Sequence, residues 1–126
     1  MYGCVRVTLP PALNLAYGGA VKVPFFRLFS RSRPVVPVLR FAGPIGAVTP
    51  LRPGLSLAAM ASTIHRAFAM KGAKAVAIQI NSPGGSAVQS MLIYKRIRNL
   101  ADEKSLPVYV FAEDVAASGG YLIALA

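Results

Sequence analysis

A chain of 126 residues is one small domain or a piece of one, and 55% apolar residues with only 14% charged fit a buried α/β layer or part of an oligomer. Its one cysteine, Cys4, and one histidine, His65, exclude an internal disulfide, a cysteine-rich metal site and a multi-histidine centre, so neither metal nor cofactor is expected. The net charge is +10 and the first acidic residue is Asp102, yet the basic residues form no run and no nucleic-acid motif accompanies them. Nucleic acid is therefore not an expected partner, and an anionic membrane surface fits such a field better.

Residues 7–21 are uncharged but broken by Pro10, Pro11, Gly18 and Gly19, too short and interrupted to span a bilayer and poor as a secretory signal. Residues 21–33 mix phenylalanines with Lys22, Arg27, Arg31 and Arg33. The segment 1–34 thus reads as a basic leader, either poorly ordered or lying on a membrane surface, ahead of a domain over 35–126. In that domain residues 35–41 predict a strand despite Pro37, and Gly43, Pro44 and Gly46 a turn. Pro50, Pro53 and Gly54 mark a loop, and Ser56 caps a helix over 56–71 that Gly72 ends. Its residues Leu57, Met60, Ala61, Ile64 and Phe68 share one face.

Residues 74–80 form the clearest strand. The loop Asn81–Gly85 follows, then a helix over 86–104 with Val88, Leu92, Tyr94, Ile97 and Leu100 expected to be buried and Lys95, Arg96 and Arg98 solvated. Residues 106–111 predict a third strand, and another helix starts near Ser118. The order β-α-β-α-β-α argues for an α/β fold, a parallel sheet with flanking helices.

Two loops carry the chemistry. The first, NSPGG (Asn81–Gly85), joins a strand to a helix. Its glycines let the backbone come close to another molecule, and amides at a helix start favour negative charge, as an oxyanion hole requires. The same residue types also make a plain turn. The second, AASGGY (Ala116–Tyr121), puts Ser118 at a strand-to-helix junction with the Gly119 amide beside it; it lacks the spacing of the familiar nucleophile elbow, and taken alone it reads first as an ordinary capping serine. Both loops fall at the C-terminal end of neighbouring parallel strands, where open α/β sheets bind ligands.

NSPGG followed some thirty residues later by AASGGY resembles the signal peptide peptidase A family of serine peptidases, and the likeness extends over about residues 35–126. The resemblance implies a ClpP/crotonase-like fold and an endopeptidase that cuts residual signal peptides or other hydrophobic peptides with a serine nucleophile and a lysine base. By position Ser118 matches the nucleophile, Gly85 and Gly119 the residues whose amides hold the oxyanion, and Gly84 and Gly120 the glycines shaping the two loops. It also implies a bacterial protein, cytoplasmic or peripheral to the inner membrane, that assembles as a homo-oligomer.

One part of the pattern is missing. The family's lysine follows the serine, whereas Lys22, Lys71, Lys74, Lys95 and Lys104 all precede Ser118. A serine without a base is a weak nucleophile at neutral pH. His65 reads as a helix-surface residue, and Glu113 and Asp114 as solvated or loop-capping. The expectation is a truncated chain, inactive by itself, whose parent is a peptidase. Two alternatives stay open: a crotonase-type acyl-CoA enzyme that would not need the Ser118 hydroxyl, and a non-catalytic membrane-associated module.

Overall fold

A computed structural model describes residues 34–46 and 54–126. The basic leader expected over 1–34 therefore lies outside the described residues except for its last position, as do Pro50 and Pro53 of the expected loop. The elements are β1 (Val38–Ala42), α1 (Leu57–Phe68), β2 (Val76–Ser82), α2 (Ala87–Lys104), β3 (Val108–Ala116) and α3 (Gly119–Ala124). The strands form one parallel sheet in the order β1-β2-β3. This is the expected small α/β unit.

Alternation builds the core. Leu39 and Phe41 of β1 pair with Ile78 and Ile80 of β2, and all four are buried on the face where the helices pack. Helix α1 contributes Met60, Ile64, Ala67 and Phe68, and α2 contributes Ile93, Ile97, Leu100 and Ala101. The i, i+4, i+7, i+8 spacing of that second set is a helical stripe. It corrects the expected face of α2: Val88 is 67% exposed and Leu92 40% exposed. The stripe runs instead through Ser90, a small residue with no exposed surface, because α3 and its glycines pack closely there.

The helix starts follow capping chemistry. Ser56 Oγ accepts from the Ala59 amide and Ser86 Oγ from the Gln89 amide. Helix α1 ends at Phe68, earlier than Gly72. Helix α2 stops at Ser105, whose left-handed backbone (φ 51°) returns the cap amide to Ala101 and Asp102. Strand β3 runs on to Ala116, five residues past its expected end, because pairing with β2 extends to Ser82↔Ala116 across a bulge. That bulge crowds Glu113–Val115 onto the edge strand beside the second loop.

The opposite face of the sheet is open among the described residues: Tyr109 and Phe111 are each more than half exposed, and Arg40 pairs with Glu113 there at 3.3 Å. No helix of the described residues is long and apolar enough to cross a membrane.

Candidate active site

Strand β2 delivers Asn81 and Ser82 to the C-terminal edge of the sheet, and the chain then turns through Pro83, Gly84 and Gly85 into α2. Gly84 has φ +98° and Gly85 φ +146°, conformations that favour glycine. The turn is clamped to the Pro44–Gly46 segment: the Ile45 amide donates to the Gly84 carbonyl and the Ser86 amide to the Ile45 carbonyl, both at 2.9 Å. A β-carbon on Gly85 would fall on the Ile45 carbonyl oxygen.

Pro83 has no amide N–H. The Gly84 amide donates to Ser82 Oγ at 3.1 Å, inside the protein. The Ser86 amide is taken by Ile45. The Gly85 amide has no hydrogen-bond partner among the described residues.

The second loop leaves β3 at Ala116, and the Ala117 amide donates to the Ser82 carbonyl at 3.1 Å. Ser118 stands at the N-cap position of α3, yet its side chain makes no capping bond and its backbone sits at φ 50°, ψ −119°. A serine there is unusual, and such strain clusters at functional sites. This separates Ser118 from Ser56 and Ser86, which cap in the ordinary way. The residue is exposed, whereas Gly119 and Gly120 are buried. The Gly119 amide, at the first position of α3, also has no partner among the described residues.

The two loops touch. A β-carbon on Gly84 would lie 2.8 Å from both the Ala117 carbonyl oxygen and Ser118 Cβ, and 3.0 Å from the Gly119 nitrogen. A β-carbon on Gly120 would lie 2.8 Å from the Ser82 carbonyl oxygen, and one on Gly119 would overlap Ser90 Oγ. Thus Ser118, Gly84, Gly85, Gly119 and Gly120 are brought together at one end of the sheet. Two buried serines the sequence reading passed over, Ser82 and Ser90, lie directly beneath them.

No lysine, histidine or carboxylate among the described residues hydrogen-bonds to Ser118. Lys95 and His65 are exposed on their helices. Asp114 accepts from the Asn81 side chain at 2.8 Å. The Lys104 ammonium holds the Glu103 carboxyl below its ordinary range, at the far end of α2 from this site. No group of histidine, cysteine and acidic residues that would hold a metal occurs among the described residues.

Sequence comparison gives two kinds of relative. The chain is 40% identical over 98 residues to a protein named serine protease SPPA, chloroplastic, of Arabidopsis thaliana, covering 75% of this chain and 14% of that protein. It is 41% identical over 64 residues to protease 4 of Haemophilus influenzae, covering 51% and 10%. It is also 54% identical over 116 residues to a protein named Na(+)/H(+) antiporter NhaA of Brucella melitensis, covering 91% of this chain and 16% of that protein. No family model matches the chain. The chain thus spans a sixth or less of the length of these relatives. It is a partial relative of proteins named as serine proteases, and its three-stranded parallel sheet with flanking helices is consistent with part of a ClpP/crotonase-like domain.

Proposed function

We propose that this chain is the nucleophile-bearing part of a serine endopeptidase of the signal peptide peptidase A type. Ser118 attacks the scissile carbonyl carbon, and its hydroxyl proton passes to a lysine base supplied from beyond these residues. The carbonyl oxygen becomes anionic and accepts from the amides of Gly85 and Gly119. Collapse of that intermediate breaks the C–N bond, and the departing amine takes the proton from the lysine. Water then hydrolyses the acyl-serine by the same route. Each oxyanion donor is worth about 3–4 kcal/mol of barrier, so two account for a large part of the acceleration.

One observation carries the reading: Ser118 is exposed and holds a strained backbone without the capping bond that would explain it as a helix cap, against a turn whose Gly85 amide has no partner among the described residues. A plain pair of turns requires none of this. Exposed apolar side chains on the first turns of α2 (Val88, Met91, Leu92), on α3 (Tyr121) and at its C-cap (Leu125) are in keeping with hydrophobic peptides as substrates. The working form is a homo-oligomer, in the bacterial cytoplasm or against the inner membrane.

The test is hydrolysis of a quenched fluorescent hydrophobic peptide by the full-length gene product, with and without Ser118→Ala. Activity lost in the variant supports the proposal. Activity on an acyl-CoA thioester that survives Ser118→Ala would move the assignment to a crotonase-type enzyme.

A second reading has a specific observation behind it. The identity to antiporter-named proteins exceeds that to the proteases, which favours a non-catalytic module that accompanies a membrane protein. A folded full-length protein without hydrolase activity would select it.

A further inference from the structure

Ser82 stands outside the chemistry just described, yet it hydrogen-bonds both within the first loop and to the second. Its surface is fully buried. Its Oγ accepts from the Gly84 amide at 3.1 Å. Its carbonyl accepts from the Ala117 amide at 3.1 Å, one residue ahead of Ser118. Gly120 packs on the same group, since a β-carbon there would lie 3.2 Å from Ser82 Cβ.

Consider the turn without that hydroxyl. The Gly84 amide would be buried with no acceptor, a costly state that the Pro83–Gly84 peptide would relieve by rotating. Two glycines in sequence offer little resistance to such rotation. The freed Gly84 amide would then compete to face the loop opposite with the Gly85 amide, whose own peptide stays held by the Ile45 amide on the Gly84 carbonyl. Preorganised donors act because they need no reorganisation during the reaction.

We propose that Ser82 is a positioning residue of this site: its hydroxyl keeps the Gly84 amide turned inward while its main-chain carbonyl holds Ala117, so that the Gly85 amide alone of this turn faces the carbonyl group that Ser118 attacks. The inference rests on the peptidase reading above.

The test uses the full-length gene product with native Ser82, Ser82→Ala, Ser82→Thr and Ser118→Ala. Two quantities are measured: amide hydrogen exchange at Gly84, with the Ile78 and Ile97 amides as controls for folding, and affinity for a hydrophobic peptide boronic acid. In the adduct the Ser118 oxygen bonds to boron, the hydroxyl proton leaves to solvent, and boron becomes a tetrahedral anion resembling the intermediate. Ser82→Ala is expected to speed Gly84 exchange about tenfold and weaken boronate binding about tenfold, with the control amides unmoved. Ser82→Thr keeps the acceptor oxygen and adds bulk, so it should stay within about threefold of native on both measures. A packing role alone would make Thr worse than Ala.

Alanine binding boronate as tightly as native, or a folded Thr variant losing as much as Ala, overturns the role of Ser82 and leaves the peptidase reading standing. Should the native full-length gene product bind no boronate, or bind it equally with Ser118→Ala, the peptidase reading falls and this inference with it.

Discussion

Replacing Gly119 by alanine tests how tightly α3 is seated on α2. The added β-carbon would overlap Ser90 Oγ, and it would also lie 3.2 Å from Ser90 Cβ. Ser90 has no exposed surface, and its hydroxyl donates to the Ser86 carbonyl at 2.8 Å. To make room the hydroxyl must rotate away, which breaks that bond and leaves a buried polar group unpaired, at about 1–3 kcal/mol. Residual crowding adds about 1 kcal/mol. Better helix propensity of alanine returns up to about 1 kcal/mol. The net expectation is a loss of about 2 kcal/mol.

Ser90→Ala removes the overlapping atom. Alone it costs about 1 kcal/mol, since the Ser86 carbonyl keeps the Ser90 amide as a donor at 3.0 Å. The double variant Gly119→Ala/Ser90→Ala should therefore unfold close to Ser90→Ala, giving a coupling of about 1–2 kcal/mol. Urea denaturation of the four proteins reads this, a loss of 2 kcal/mol moving the midpoint by about 1 M for a small domain. Additive effects, with the double variant worse than either single one, would refute the argument that Ser90 Oγ is the atom in the way.

Three further outcomes are expected. Gly85→Ala should cost about 3 kcal/mol in the same urea assay with no side-chain suppressor, because its β-carbon meets the Ile45 backbone, two loop hydrogen bonds break and φ is +146°. Ser118→Gly should be more stable than Ser118→Ala by about 1 kcal/mol in thermal unfolding, since glycine accepts φ 50°, ψ −119° without strain, while both variants lack hydrolase activity. Ile97→Ala, at a fully buried position, should lower stability by about 3 kcal/mol, whereas Arg40→Ala, breaking only an exposed pair with Glu113, should change it by less than about 1 kcal/mol.

Much of this layout was readable from local patterns. The apolar run around Ile78 and Ile80, the glycines after it and the capping serines Ser56 and Ser86 each act within a few residues, so β2, α1 and α2 lie within two or three residues of their expected limits. Long-range terms were not readable. Ile45 clamps Gly85 from the other side of α1, a pairing with no local signal. Strand β3 continues past Glu113 and Asp114, which lie in the bulge, because pairing with β2 resumes at Ala116. The phase of α2 is not legible locally, because Val88 and Leu92 are large and apolar while the residue that α3 requires there is small. In the site, Ser118 and its glycines could be picked out by type and spacing. The buried roles of Ser82 and Ser90 could not, since serine in a loop or near a helix start usually means a turn or a cap.

The most direct measurement is labelling of the full-length gene product with a fluorescent fluorophosphonate, with the adduct mapped by mass spectrometry. The account predicts one adduct, on Ser118, absent in Ser118→Ala. A folded protein that stays unlabelled, or that labels at another serine, would contradict it.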